Sequence, residues 1–422
     1  MTRSNIDYRK YLSEASNTRK PSAIRRLIPL TKLPGMVSFG AGAPNQGLFP
    51  FEGITISLKT GESLSIDPKI LSDSLTYGPS DGIPPLVNWL KDLQNLQHEP
   101  ARSDFAVTIG TGSQDLVTKA LQMLISDGDN VLFESPGYVG VIAFLRHQPC
   151  NLIDVQLDAH GVIPSKLREQ LEQWPADKRK PKILYTVPVG GNPTGVSQTI
   201  ERKREIYEIA RQHDLLILED DPYFYLQYGD KTQSYFSMDV DGRVLRFDSM
   251  SKILSSGLRV GWATGPFELI ETMNMMTMTS NLQPSSVSQA IVYTLVNSWG
   301  HKGFLDHTLK VAAFYKEKCQ QFSYFARKHL TGLADWVEPD AGMFVWFYLK
   351  NIKDSSEMVM TKAVEKKVLL VPGIEFFCDQ EASGPSSCVR ASFSNVTEQE
   401  MDLGLERLAS LLKEQAALEN QA

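Results

Sequence analysis

The 422 residues are 42% hydrophobic and 22% charged, with a formal net charge of -6, an ordinary globular balance that argues against nucleic acid or an anionic membrane as principal partner. Cys150, Cys319, Cys378 and Cys388 show neither CxxC spacing nor histidines at zinc spacing, which argues against a disulfide framework or a metal site. No apolar run approaches the roughly 20 residues of a membrane span, and the length suits two or three domains.

The first thirty residues are basic: Arg3, Arg9, Lys10, Arg19, Lys20, Arg25 and Arg26 face only Asp7 and Glu14. The segment reads either as a weak mitochondrial presequence or as a folded arm reaching an anionic substrate. Val37 to Asn45 reads as a short strand breaking into a glycine loop. Asn45 stands where a dinucleotide fingerprint needs its third glycine, and Pro44 would spoil the helix opening. A turn-rich stretch ending at Pro84 leads into a helix over Pro85 to Leu96, with Leu86, Trp89, Leu90, Leu93 and Leu96 on a helical period.

From Phe105 strands and helices alternate. The expected strands are 105–109, 130–134, 151–155, 182–187, 215–219, 244–247 and 260–264, with helices such as 115–126 and 201–213 between several of them. This pattern predicts an α/β fold with a mostly parallel sheet between helices, and ligands at the carboxyl ends of the strands. Residues 282–330 read as long helices. Strands over 336–348, 368–377 and 389–393, followed by a helix over 398–414, suggest a smaller α+β domain.

Four loops after strands stand out. Gly112-Ser113-Gln114 opens a helix, where amides and dipole suit a phosphate; a plain N-cap is the simpler alternative. Asn192-Pro193-Thr194-Gly195 holds an oriented amide, or is a routine turn. Glu219-Asp220-Asp221 follows an apolar run and needs a cationic partner if buried; the alternatives are a solvated turn or a metal site, the latter weakened by the lack of a histidine nearby in sequence. Ser249-Met250-Ser251-Lys252, with Arg259 downstream, pairs a lysine with a possible anion site. Late in the chain, Arg390 interrupts the apolar strand 389–393 and could bind a substrate carboxylate with its fork.

Taken together, Asn192-Pro-Thr-Gly195, Asp220-x-x-Tyr223, Ser249-x-Ser251-Lys252, Arg259 and Arg390 resemble the class I aminotransferases of the fold-type I pyridoxal-phosphate (PLP) enzymes. The segments 184–188, 219–223, 236–244 and 253–259, with Pro21-Ser22-Ala23-Ile24-Arg25, resemble the kynurenine/α-aminoadipate branch, which is similar to the fungal aromatic aminotransferases. One departure is Val189-Gly190-Gly191, where the animal enzymes of that branch usually have Asn-Gly-Asn.

The resemblance implies a seven-stranded, mostly parallel sheet in a large PLP-binding domain over 46–305. An arm with part of the small domain would lie in 1–45, and the small C-terminal domain in 306–422. It implies PLP covalent on Lys252, with Asp220 at the pyridine nitrogen and Tyr223 and Asn192 at the phenolate oxygen. Tyr138 would stack on the ring. Ser113, Gln114, Ser249, Ser251 and Arg259 would hold the phosphate, and Tyr77 would reach it from the other subunit of a homodimer. Arg390 would take the substrate carboxylate, with Gly42 and Arg25 on the substrate side. The implied reaction is ping-pong transamination from kynurenine, L-2-aminoadipate, aromatic amino acids or methionine to 2-oxoglutarate. The implied compartment is the mitochondrial matrix or the cytoplasm.

Other readings fare worse. Ser249-x-x-Lys252 and Lys59-Thr60-Gly61 spell two motifs of penicillin-recognising serine enzymes, but in reversed order and without an intervening S-D-N. A PLP-binding regulator would carry a basic helix-turn-helix of roughly 60 or more residues before the fold. A β-lyase or decarboxylase on the same fold is the remaining alternative.

Overall fold

The computed structural model describes residues 6–21, 30, 33–40 and 42–419. Arg25 therefore lies outside the described residues. The chain forms two compact units, one of Met1–Ser126 with Phe236–Asp306, the other of Asp127–Tyr235 with His307–Ala422.

Strands are numbered along the chain. In the first unit β1 (Thr55–Ser57) and β2 (Ser63–Ser65) form a short antiparallel hairpin, followed by β3 (Phe105–Gly110). The second unit adds β4 (Asp129–Ser135), β5 (Cys150–Asp158), β6 (Gly161–Val162), β7 (Ile183–Thr186) and β8 (Leu216–Asp220). Their spatial order is β8-β7-β4-β5-β6, parallel except for β5 against β6. Parallel neighbours need a crossover, and helices supply it: Val139–Leu145 between β4 and β5, and Ile200–Gln212 between β7 and β8. Thr199 caps the latter by accepting from the Arg202 amide, while Ile206, Tyr207, Ile209 and Ala210 bury one face.

The chain returns to the first unit with β9 (Val244–Ser249) and β10 (Gly261–Pro266), ordered β3-β10-β9 and antiparallel throughout. In the second unit β11 (Ala334–Trp336), β12 (Phe344–Leu349), β13 (Val371–Pro372) and β14 (Cys388–Ser392) make an antiparallel sheet in the order β11-β12-β14-β13.

The α/β class expected from the sequence is what these elements show, with β6 the strand beyond the seven anticipated. Both β7 and β8 are buried at every position, as strands covered on two faces must be. Phe133 stacks on Tyr185 at 4.8 Å between centroids, part of the second unit's core.

Local expectations needed correction. The described residues between Val37 and Asn45 form no strand; Val37 and Phe39 are 76% and 97% exposed, and no strand among the described residues pairs with them. The run 336–348 is two strands broken at Gly342, whose φ of 77° leaves the extended region. The run 368–377 keeps only two strand residues; after Pro372, which has no amide proton to donate, Gly373–Phe376 turns into a 3-10 helix. The long helix Ser286–Leu330 is interrupted at Gly300.

Candidate active site

The first unit gathers an anion-binding group. The helix Ser113–Leu124 follows β3, and its N-cap Gly112 has φ 81°, a conformation cheap only for glycine. Gly112 makes no side-chain cap, and the helix N-terminus that opens with Ser113 and Gln114 presents the positive end of its dipole here. Asp115 brings a negative charge to this turn, but Lys119 pairs with it at 3.0 Å.

Arg259 projects into the same place. Its guanidinium donates to the Ser251 hydroxyl (3.3 Å), the Ser256 carbonyl (3.1 Å) and the Thr111 carbonyl (3.1 Å), and it is exposed. A Cβ added to Gly112 would collide with that guanidinium, and one on Gly261 would come within 2.5 Å of the Ser113 amide nitrogen. The two glycines thus let strand end, helix end and cation converge. Ser249, at the end of β9, accepts from the Ser251 amide at 3.1 Å and holds the short 3-10 turn Met250–Lys252. Just upstream, Arg246 grips Asp248 through two bonds of 2.9 and 2.7 Å, both side chains fully buried.

The second unit gathers a ring-and-carboxylate group. Asp220 closes β8, is buried, and accepts the Tyr185 hydroxyl at 2.6 Å. Burial and the Asp220 charge push the Tyr185 phenol well above its ordinary value, so it is a permanent donor. Burial also raises the Tyr223 phenol, helped by Tyr138 and Asp220 and opposed by Arg390 and a hydrogen bond from Asn192.

Arg390, on β14, donates to the Asn192 Oδ1 at 2.8 Å. A guanidinium can only donate, so this bond fixes the amide: its carbonyl faces Arg390 and its NH₂ group is left to donate elsewhere. The guanidinium lies 4.5 Å from the Phe344 ring centroid and 5.2 Å from that of Phe376, which hold its plane. Its buried Nε makes no hydrogen bond.

Taken separately, the two groups suit different fragments of a phosphorylated pyridine aldehyde or an amino-acid substrate. In the first unit the helix N-terminus, hydroxyls and Arg259 suit a phosphate dianion; in the second a buried carboxylate suits a protonated ring nitrogen, and the Arg390 guanidinium, whose Nε lacks an acceptor, suits a carboxylate. Tyr138 caps the helix Val139–Leu145 and is half-buried. Tyr77 is 60% exposed, and Gly42 is exposed with nothing within 4 Å of an added Cβ; neither joins either group.

Sequence reasoning missed Tyr185, Phe344, Phe376 and the buried Glu134. A tyrosine inside an apolar strand was the available signal, since a buried phenol needs an acceptor.

The profile of the aminotransferase class I and II family matches residues 67–408. The chain is 42% identical to the mitochondrial kynurenine/alpha-aminoadipate aminotransferase of Bos taurus, over 97% of this chain and all of the relative. Its structure resembles aminotransferase Aro8 from Candida albicans, with a TM-score of 0.90 and 28% identity over 99% of this chain and all of that one. It also resembles Pyrococcus horikoshii kynurenine aminotransferase in complex with PMP, KYN and KYA, with a TM-score of 0.77 and 27% identity over 97% of this chain and 98% of that one.

Proposed function

The chain belongs to the aminotransferase class I and II family, and from that premise we propose that it moves an amino group from kynurenine or L-2-aminoadipate to a 2-oxo acid such as 2-oxoglutarate. Aromatic amino acids and methionine are further donors in this reading, and kynurenic acid and 2-oxoadipate the products. The names of the bovine and archaeal relatives support these substrates. The observation that carries the reading is the Arg390–Asn192 bond, which ties a carboxylate-binding fork to an amide with its donors directed away from that fork.

The cofactor of this proposal is pyridoxal phosphate, which supplies an electron sink that acidifies the substrate Cα–H and a carbon, C4′, that carries the amino group between half-reactions. Lys252 would hold the cofactor covalently through Nζ, and that amine would take up and return the substrate Cα proton. The Asp220 carboxylate would keep the ring nitrogen protonated, and Tyr185 donates to that carboxylate. Asn192 and Tyr223 donate to the phenolate oxygen, and Tyr138 covers the ring. Ser113, Gln114, Ser249, Ser251 and Arg259 hold the phosphate. Arg390 holds the α-carboxylate, with Gly42 and Arg25 on the substrate side. In a homodimer, the exposed Tyr77 reaches the partner's phosphate. The division into an arm (1–45), a large domain (46–305) and a small domain (306–422) belongs to the same proposal, as does a mitochondrial location, which follows the bovine relative's name. No helix among the described residues is long and apolar enough to cross a membrane.

An absorbance titration of the purified protein tests the reading. Kynurenine or 2-aminoadipate should bleach the visible band of the bound cofactor, and 2-oxoglutarate should restore it. A wild type without that band, or a Lys252→Ala variant with an unchanged spectrum and titration, overturns it. Release of ammonia or CO₂ without an acceptor would support the lyase or decarboxylase alternative instead.

A further inference from the structure

The loop after β7 carries Asn192 near its tip and returns to the helix Ile200–Gln212. Its interior is self-bonded: the Gly191 amide donates to the Val196 carbonyl (2.9 Å), and the Gly195 amide to the Gly191 carbonyl (2.6 Å). Its neck closes where the Gln198 amide donates to the Pro188 carbonyl at 2.8 Å. A buried carboxylate from another strand sits at that neck. Glu134, on β4, accepts from the Val187 amide at 2.9 Å and from the Gln198 side-chain amide at 2.9 Å, and also from the Thr186 hydroxyl. One side chain thereby binds the entrance and the exit of the loop.

The donors are themselves oriented. Gln198 also donates to the Thr186 hydroxyl at 2.8 Å, and its carbonyl accepts from the Tyr235 hydroxyl at 2.6 Å, so its amide cannot flip without losing three bonds. Tyr235 and Gln198 are fully or almost fully buried. Nothing in this network touches Asn192 or Arg390 directly. It fixes the backbone from which Asn192 reaches Arg390 and Tyr223.

We propose that Glu134 is a positioning residue for the amino-transfer site: it staples the neck of the 187–198 loop and so sets where the Asn192 amide meets the phenolate oxygen and the Arg390 clamp. The proposal rests on the functional reading above, which gives Asn192 and Arg390 their roles. Burial pushes the Glu134 carboxyl up, while its three donors pull it down. Glutamine has nearly the same shape but offers only one accepting atom, so at least one of the three donors loses its acceptor.

Glu134→Gln, loaded with pyridoxal phosphate, is the test. The KM for both amino donor and 2-oxo acid should rise about tenfold, with a smaller change in kcat, as expected when one or two buried hydrogen bonds are lost. The pH midpoint of the bound cofactor's visible absorption should move by about one unit, because the donors to its phenolate oxygen are displaced. A merely structural role would leave that midpoint in place. The exchange Glu134→Gln/Gln198→Glu keeps one carboxylate and one amide facing each other and should restore both quantities. A folded Glu134→Gln variant with wild-type KM and midpoint overturns the proposal. Should that variant not fold, Thr186→Val removes one donor and keeps the carboxylate; about a threefold rise in KM supports the proposal, and unchanged values overturn it. If the wild type binds the cofactor but transfers no amino group, the functional reading fails, while the spectral midpoint still tests Glu134.

Discussion

In the proposed reading the two units would bind their ligand fragments in opposite ways. In the first, binding groups are backbone amides, hydroxyls and an exposed arginine, with bonds of 3.1–3.3 Å. In the second, a buried carboxylate, a phenol and a half-buried guanidinium are locked by bonds of 2.6–2.8 Å. A phosphate keeps its charge throughout the reaction, so a solvent-screened cradle suffices for it. In that reading the ring nitrogen and the substrate carboxylate would lie beside the bonds that change, where groups held before the reaction begins contribute most.

Substitutions should expose that contrast. The largest effect is expected for Asp220→Asn, which leaves Tyr185 a partner but removes the charge facing the ring nitrogen. Its kcat should fall about 10³-fold, in line with breaking a buried charge pair, measured by steady-state amino transfer. Next comes Arg390→Lys, which keeps the charge and loses the fork. The KM for substrates bearing an α-carboxylate should rise about 30-fold with kcat nearly kept. Arg259→Ala should weaken cofactor binding about tenfold. Because Arg259 is exposed, that deficit should shrink as salt rises, whereas the Asp220 and Arg390 effects should not. Equilibrium dialysis at two ionic strengths against kinetics at the same two separates the halves.

The smallest effect is a response to alkaline pH. Burial pushes the Cys150 and Cys319 thiols up to about 11, and raises Cys378, Tyr185 and Tyr223 further, all in the second unit. Folded values above the unfolded ones mean stability that is intact below about pH 9 and is lost as pH rises through 11. The melting temperature should decline over that window. At pH 8 native Cys150 should react with an alkylating agent about 10²-fold more slowly than a free thiol.

The candidate site residues were legible because each breaks an apolar pattern at a strand end: Asp220 after Leu215 to Leu218, Ser249 after Val244 to Phe247. Arg390 was visible as a charge inside β14. Their supports were not. Tyr185 lies 35 positions from Asp220, and Glu134 lies 52 and 64 positions from Thr186 and Gln198. Those bonds join neighbouring strands and loops, and sequence spacing does not encode which strands become neighbours. The antiparallel β9/β10 pair of the first unit could have been read, since the segment between them is too short for the crossover that parallel strands need. The exposure of Val37 and Phe39 could not, because a strand signal says nothing about the availability of a partner.

The collision between an added Cβ at Gly112 and the Arg259 guanidinium makes these two positions one unit of mutational tolerance. A methyl at 112 evicts the arginine, so Gly112→Ala already contains most of the Arg259→Ala defect. In a double-mutant cycle the two should be strongly sub-additive for cofactor affinity. What survives in the double variant is the cost of an alanine held at φ 81° and ψ 168°, about 1–3 kcal/mol of folding stability. A library screened for cofactor retention would therefore score position 112 as charge-sensitive, although the residue there has no side chain at all.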